Sequence, residues 1–293
     1  MRSLSKDKAQ KVHYLEQAEL VRKYDEIHLK PKKEDVKLLE KMLSEVLSVL
    51  TPQANNLKIE RIMPFGSYNN DSLRNYKFEL DLLAVINSKS SNKQIIENIK
   101  EILSQEKSRL KQNYQFLVLQ DKRKQDVLQI SLGEKVQKPL VFHQLKINPY
   151  SKFDPRLPLM LNCNKMMLKT AEMMDLSTEK EQDLKILRRV LKYLKDNKFD
   201  EMGGEMVDIL IFNITRKFAE IDIIQNMKRF FEFIMLGGLN CNKENKWLWG
   251  EMPECFMEYV KEVLNNEIIK KMEVEARNLM EKGLDELISN FKI

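Results

Sequence analysis

The chain has 293 residues, of which 43% are hydrophobic and 32% are charged. This apolar content is enough for a core and excludes a chain that is disordered throughout. No apolar run approaches the roughly 18 residues of a membrane span, and the N-terminus has no apolar signal segment, so neither a membrane partner nor secretion is expected. Three cysteines without CxxC spacing exclude a disulfide framework and a zinc cluster, and they favour an intracellular compartment.

The charge is unevenly distributed between the two halves of the chain. Residues 1–150 contain 27 Lys/Arg and 19 Asp/Glu, whereas residues 151–293 contain 23 and 25, for a total net charge of +6. A net charge of this size is small for a nucleic-acid-binding protein. The first half is therefore the better candidate for contacts with phosphate groups, in a nucleotide, RNA or DNA.

The N-terminal half begins with helices and continues as mixed α/β. Apolar residues at three- and four-residue steps predict helices over residues 5–28 and 31–50. Alternating apolar residues then predict strands, and a helical stretch lies between them. The strands are predicted at 57–62, 78–86, 116–119 and 127–132, and the helix at 91–110.

After Pro149 the strand patterns stop and only helical patterns follow. Helices are predicted over 160–174, 179–196, 204–218, 221–236, 253–270 and 272–290. The fold class is therefore α+β. We expect N-terminal helices over residues 1–50 that pack on the first lobe, an α/β lobe over 51–150 and a helical lobe over 151–293.

The residues suited to bind a metal ion and phosphate lie on one predicted strand and on the turn that precedes it. Glu79 and Asp81 are two residues apart on the strand 78–86, so their carboxylates point from the same face. Two convergent carboxylates are what Mg²⁺ needs when it also holds a triphosphate. Gly66 and Ser67 precede them on a turn, where a backbone N–H and a hydroxyl suit a phosphate oxygen.

A Gly-Ser turn followed by a strand of alternating hydrophobic and acidic residues resembles the signature of the polymerase-β-like nucleotidyltransferase superfamily. The spacing from Gly66-Ser67 to Glu79 and Asp81 is similar to that of the cyclic GMP-AMP synthase and Mab-21 branch. The resemblance implies a mixed-sheet lobe followed by an all-helical lobe. It also implies Mg²⁺ held by Glu79 and Asp81, and a nucleotide bound at Gly66 and Ser67.

The helical half resembles the DZF domain of the interleukin-enhancer-binding factors, a layout shared with oligoadenylate synthases. The segments that carry this resemblance are 184–194, 203–210 and 230–239. DZF domains are nucleotidyltransferase folds that have lost catalytic carboxylates, and they pair through their helical halves. The resemblance thus implies a protein partner at the helical lobe, as a heterodimer or homodimer, and a nuclear rather than cytoplasmic location.

Active members of the superfamily need a third carboxylate on a later strand, for which the segment 125–132 is the candidate. Gln129 stands between two apolar residues, as Asp81 does, whereas Asp126 is in the opposite phase and would need a bulge to reach the site. An amide is a poor Mg²⁺ ligand and a very poor base. We therefore expect catalysis to be impaired or absent, unless the third position lies on another strand.

Three hypotheses follow for the function. The first is a catalytically degenerate nucleotidyltransferase-fold subunit of a nucleic-acid-processing complex, which acts by protein pairing and by binding a nucleotide or nucleic acid. The second is an active, Mg²⁺-dependent enzyme that transfers nucleoside monophosphates from NTPs without a template, with Glu79, Asp81 and Asp126 as its carboxylates. The third is a helical scaffold in which the paired carboxylates are fortuitous.

Overall fold

The computed structural model describes residues 2–120, 125–132, 143–154, 157–158, 160–161, 176–218, 222–239, 264–282 and 286. Helix α1 (Arg2–Tyr24) comes first and continues as a π-helical turn (Asp25–Leu29). The other helices are α2 (Lys33–Leu50), α3 (Gly66–Asn69), α4 (Asn92–Gln105), α5 (Thr178–Lys198), α6 (Gly204–Phe218), α7 (Ile223–Met235) and α8 (Asn266–Lys282). The strands are β1 (Ile59–Phe65), β2 (Phe78–Ile86), β3 (Tyr114–Gln120), β4 (Asp126–Leu132) and β5 (His143–Ser151).

The five strands form one mixed sheet in the order β1-β2-β5-β4-β3. Strands β2 and β5 are parallel, and all other neighbours are antiparallel. The α+β fold class expected from the sequence is confirmed. The last strand, β5, was not predicted as a strand, and it lies at the centre of the sheet between β2 and β4.

One face of the sheet forms the core together with helices α2 and α4. Alternate residues of each central strand point to this face because side chains alternate along a strand. Leu80 and Leu82 of β2 pair with Leu145 and Ile147 of β5, and all four are fully buried. The buried residues of α2 and α4 complete this core, among them Leu39, Met42, Val46, Ile95, Ile96 and Ile99.

The chain divides into two compact units, residues 31–168 and residues 1–30 with 169–293. The sheet and α2 belong to the first unit. Helix α1 belongs to the helical unit, where it contacts α5 and α7, whereas the sequence led us to expect it with the first lobe. The described residues contain no helix that is long and apolar enough to cross a membrane.

Buried ion pairs explain why the N-terminal segment belongs to the helical unit. The Arg189 guanidinium of α5 donates to both Asp25 carboxylate oxygens, at 2.7 and 2.6 Å, and both side chains are buried. Burial raises the pKa of the Asp25 carboxyl, although the Arg189 hydrogen bonds oppose this shift. Arg22 makes a second bidentate contact, at 2.9 and 2.8 Å, with Asp183. The apolar pattern of α1 does not encode these contacts.

Two sets of expectations concern the C-terminal half. Helices α5, α6 and α7 lie close to the predicted ranges, whereas α8 runs without interruption across the break predicted at residue 271. Residues 162–174 of the predicted helix 160–174 and residues 253–263 of the predicted helix 253–270 fall outside the described residues.

The Asp25–Arg189 pair gives a stability prediction. Asp25→Asn leaves the Arg189 charge buried without its counter-ion, so the free energy of unfolding should fall by about 3–5 kcal/mol in urea titrations. The matched control is the exposed Glu26–Lys30 pair of the same π-helical turn, at 2.6 Å. Glu26→Gln should cost less than about 1 kcal/mol, because exposed ion pairs contribute little. Equal losses for the two variants would contradict this account.

Candidate functional site

The paired carboxylates lie on the face of the sheet opposite the core. Phe78, Leu80 and Leu82 of β2 are fully buried, whereas Glu79 and Asp81 between them are half-buried. The alternation of β2 is therefore the one predicted from the sequence. Glu79 and Asp81 point from the same face, as the two-residue spacing requires.

The Gly66-Ser67 turn lies directly beside Asp81. Strand β1 ends with Phe65 paired to Asp81, and Gly66 follows with a φ of +69°. A Cβ atom at Gly66 would lie 2.9 Å from the Asp81 Oδ2 atom, so a side chain here would displace the Asp81 carboxylate and would be strained by the positive φ. The turn is closed by Ser72, whose N–H donates to the Ser67 carbonyl at 2.8 Å. The structure thus brings together three of the predicted site residues: Gly66, Ser67 and Asp81.

The strand next to the carboxylates is β5, and not β4, which carries Gln129 and Asp126. Asp81 pairs with Lys146 of β5, and Lys146 pairs with Gln129 of β4. Neighbouring strands are about 4.8 Å apart, so Gln129 is about 10 Å from Asp81 across the sheet. Two oxygens on one Mg²⁺ lie within about 4.2 Å of each other. Lys146, rather than Gln129, therefore occupies the position beside Asp81.

Asp126 lies further from the carboxylates than the third position requires. It is the first residue of β4 and has the phase of Leu128 and Ile130, which are fully buried in the core face. Its carboxylate therefore belongs to the opposite side of the sheet from Glu79 and Asp81. The pairings of β4 with β3 and β5 run without a register shift, so the bulge that would bring Asp126 to the site is absent from this strand.

Two lysines surround the Glu79 carboxylate. The Lys146 Nζ atom lies 3.2 Å from Glu79 Oε1, and the Lys77 Nζ atom lies 3.8 Å from Glu79 Oε2. The Lys146 and Glu79 side chains are 24% and 26% exposed, so solvent screens this pair only partly. The two ammonium charges balance the two carboxylate charges of Glu79 and Asp81.

The residues do not fit Mg²⁺ in this arrangement. Mg²⁺ is usually held by one or two carboxylates together with water and substrate phosphates, and here Lys146 places a positive charge on the Glu79 carboxylate that would have to bind it. Within the described part of the chain, no group of three or more His, Cys, Asp or Glu side chains is placed to hold a metal ion. The donor set is that of an internal ion pair rather than of a metal centre.

His143 of β5 lies on the core side of the sheet and is not part of this site. It pairs with Asp35 at 2.9 Å and stacks on Phe78, so it supports the contact between β5 and α2.

Lys146 is the site residue that sequence reasoning missed. It stands between Leu145 and Ile147, the same alternation that marks Asp81 between Leu80 and Leu82. Pro149 hides this signal, because proline is rarely found inside a central strand. Here Pro149 lies beyond the residues of β5 that pair with β4, and its carbonyl accepts a hydrogen bond from the Gln125 side chain at 2.8 Å.

Comparison with known proteins was made by sequence and by fold. No protein-family model and no curated protein matches the sequence. Among solved structures, Cid1 poly(U) polymerase with Mg²⁺ and 3'-dATP is 11% identical with a TM-score of 0.57, over 89% of this chain and 92% of that chain. CdnC of E. coli MS115-1, in complex with a HORMA protein, is 11% identical with a TM-score of 0.53, over 75% and 71% of the two chains. At such identity the likeness establishes the fold alone: this chain shares the fold of Cid1 poly(U) polymerase and of CdnC.

Proposed function

We propose that the protein is a catalytically degenerate nucleotidyltransferase-fold subunit of a nucleic-acid-processing complex. The observation that carries this proposal is Lys146, which pairs with Asp81 in the sheet and forms an ion pair with Glu79 at 3.2 Å. A lysine at this position can neither bind Mg²⁺ nor act as the base for an attacking hydroxyl while it is protonated. In this proposal the chain keeps the fold, but the Lys146 ammonium stands where a third carboxylate would complete the metal site.

The size of the electrostatic effect supports the proposal. Two unit charges 4 Å apart interact by about 4 kcal/mol at an effective dielectric constant of 20. A divalent cation beside Glu79 and Asp81 would be repelled by Lys146 on this scale, or would have to displace it from Glu79. Removal of a positioned catalytic base alone typically lowers the rate by about 10²–10⁴-fold.

The helical unit supports a role in protein pairing. Of the nine exposed large hydrophobic side chains among the described residues, six belong to this unit. They are Val12, Leu15, Leu20, Ile27, Leu236 and Val274. Exposed apolar side chains that concentrate in one unit favour an interface with another protein chain. A DZF-like pairing through this unit, in a nuclear complex, is the finer form of this proposal.

The similar structures support a link to nucleotides and nucleic acids. Cid1 is named as a poly(U) polymerase and was solved with a short ApU product, at 12% identity and a TM-score of 0.57. CdnC was solved both with ATP and in complex with a HORMA protein. By analogy, the present chain would contact a nucleotide or nucleic acid and a protein partner.

An active, Mg²⁺-dependent enzyme is the alternative. It is favoured by Glu79 and Asp81, which share one face of the sheet beside the Gly66-Ser67 turn. This alternative requires the Lys146 ammonium to leave Glu79 when the metal ion binds. It therefore differs from the degenerate form in a measurable property, the affinity of the site for a divalent cation.

One prediction of the proposed function concerns nucleotidyltransferase activity. Purified protein incubated with labelled NTPs, Mg²⁺ or Mn²⁺ and RNA or DNA should incorporate no label, because the third carboxylate is replaced by Lys146. The control is the Asp81→Ala variant, whose background should equal that of the unmodified protein. Incorporation that Asp81→Ala abolishes would establish the active alternative.

Another prediction concerns the affinity of the site for a divalent cation, which can be measured without the protein partner. Lys146→Asp should create a third carboxylate beside Asp81 and increase Mn²⁺ affinity at least about tenfold, as the 4 kcal/mol scale above allows. Binding can be followed by electron paramagnetic resonance of free Mn²⁺. The unmodified protein should show no Mn²⁺ binding that Asp81→Ala removes.

Two controls separate position from charge. Gln129→Asp adds a carboxylate to the same row of the sheet but on the next strand, and it should leave Mn²⁺ affinity unchanged. Lys146→Gln removes the cation without adding a ligand and should give an intermediate gain. A gain for Gln129→Asp equal to that for Lys146→Asp would show that the third position had been misplaced.

A further inference from the structure

An exposed aromatic ring in the loop that follows β5 has two lysines close to it. Phe153 is 56% exposed, which makes it one of the few large apolar side chains of the sheet unit that face solvent. The Nζ atoms of Lys89 and Lys152 each lie 5.4 Å from the centre of its ring. Both ammonium groups are therefore within cation–π range of the ring.

Backbone hydrogen bonds hold this part of the sheet together. We call the segments 58, 87–93 and 151–154 the sheet rim. The Lys152 N–H donates to the Ile86 carbonyl at 2.8 Å, and the Asn87 N–H donates to the Lys58 carbonyl at 2.7 Å. The Ser151 hydroxyl donates to the Ser88 carbonyl and also accepts the Phe153 N–H at 3.3 Å. The ring and both lysines therefore stand on a backbone that is fixed on both sides.

The sheet rim is positively charged. It contains four exposed lysines, Lys58, Lys89, Lys93 and Lys152, and one acidic residue, Asp154. In the described part of the chain, no carboxylate forms an ion pair with Lys89 or Lys152. Helix α4 also begins at this rim, and its first turn has no acidic residue to offset the positive end of the helix dipole.

The rim is separate from the carboxylate site. Asp81 lies five residues before Ile86, the last residue of β2, which is about 17 Å along a strand at 3.3 Å per residue. Between them, the polar face of the sheet is covered by an apolar cluster of Leu83, Val85 and Tyr150. A ligand at the rim would therefore leave Glu79, Asp81 and Lys146 untouched.

We propose that the sheet rim binds single-stranded nucleic acid, with a base stacked on Phe153 and the flanking phosphates on Lys89 and Lys152. This inference rests on the proposed function and names the surface that would contact the nucleic acid. Base stacking on an aromatic side chain does not depend on sequence, because every base has a π face. The lysines contact phosphates, which are common to all sequences. Binding should thus be insensitive to base order and sensitive to salt.

The composition of the rim favours a single strand over a membrane or an acidic peptide. Phe153 is the only large apolar side chain exposed among the described rim residues, and its neighbours are serines, asparagines and lysines. A membrane-binding surface would present several apolar side chains beside the lysines. One aromatic ring with cations around it is the combination that single-strand-binding proteins use.

The test is the affinity of the full chain for a fluorescently labelled single-stranded 15-nucleotide RNA, measured by anisotropy at several salt concentrations. Phe153→Ala and Phe153→Leu should weaken binding by about 5- to 150-fold, because both lose the stacking ring. Phe153→Trp should keep the affinity or raise it. The double variant Lys89→Gln/Lys152→Gln should lower the slope of log K against log salt by about 1.4, the value for two phosphate contacts on a single strand.

Matched controls come from the same unit. Leu117 is 53% exposed on β3, and Leu117→Ala should leave RNA affinity unchanged. Lys100→Gln/Lys111→Gln removes two charges away from the rim and should change the salt slope much less than the rim variant. All these side chains are exposed or on the surface, and circular dichroism with urea unfolding would verify that each variant is folded.

Several results would overturn the proposal. They are the absence of RNA binding by the unmodified protein, full affinity in Phe153→Ala, or an equal change of salt slope in the control lysine variant. Tighter binding to anionic lipid vesicles or to an acidic peptide than to RNA would likewise overturn it. These outcomes are independent of the Mn²⁺ measurement, so a rim that does not bind RNA would leave the degenerate metal site standing, and the reverse also holds.

Discussion

The parallel register of β2 and β5 determines the chemistry available on the polar face of the sheet. Leu80 with Leu145 and Leu82 with Ile147 are buried pairs on the core face, so a slip of one residue would bury Lys146 and expose leucine. The core therefore fixes Lys146 beside Asp81. The ion pair between Lys146 and Glu79 then follows from the fold, because both side chains have only this face available.

This constraint separates the stability of the sheet from the chemistry of its polar face. A change from carboxylate to lysine at position 146 alters nothing on the core face, where the free energy of burial is gained. The lysine also relieves repulsion between Glu79 and Asp81, which would otherwise stand close together on one strand without a cation. The degenerate site that we propose and a stable sheet are thus compatible.

The sequence predicts the structure correctly where the residue pattern within one segment determines the conformation of that segment. Strand β2 and helix α6 have the predicted bounds, and the contact between Gly66 and Asp81 follows from a glycine turn next to an alternating strand. The third site position could not be located, because it depends on which strand lies beside β2. The pairing of β5 with β2 and β4 joins segments that are far apart in the sequence. The alternation around Lys146 does not indicate which strands lie on either side of β5. The partner of α1 was missed for the same reason, since buried Asp25 and exposed Leu15 invert the usual helical pattern.

The discontinuous helical unit has a consequence for synthesis of the protein. Asp25 and Arg189 are 164 residues apart in the chain. At about 5–20 residues per second, the N-terminal helix leaves the ribosome roughly 8–33 s before its buried counter-ion exists. During that time the sheet unit, which lies between the two segments, can complete its own fold. The first thirty residues must therefore remain soluble and available until the last third of the chain emerges, so folding of the helical unit is a late, post-sheet event.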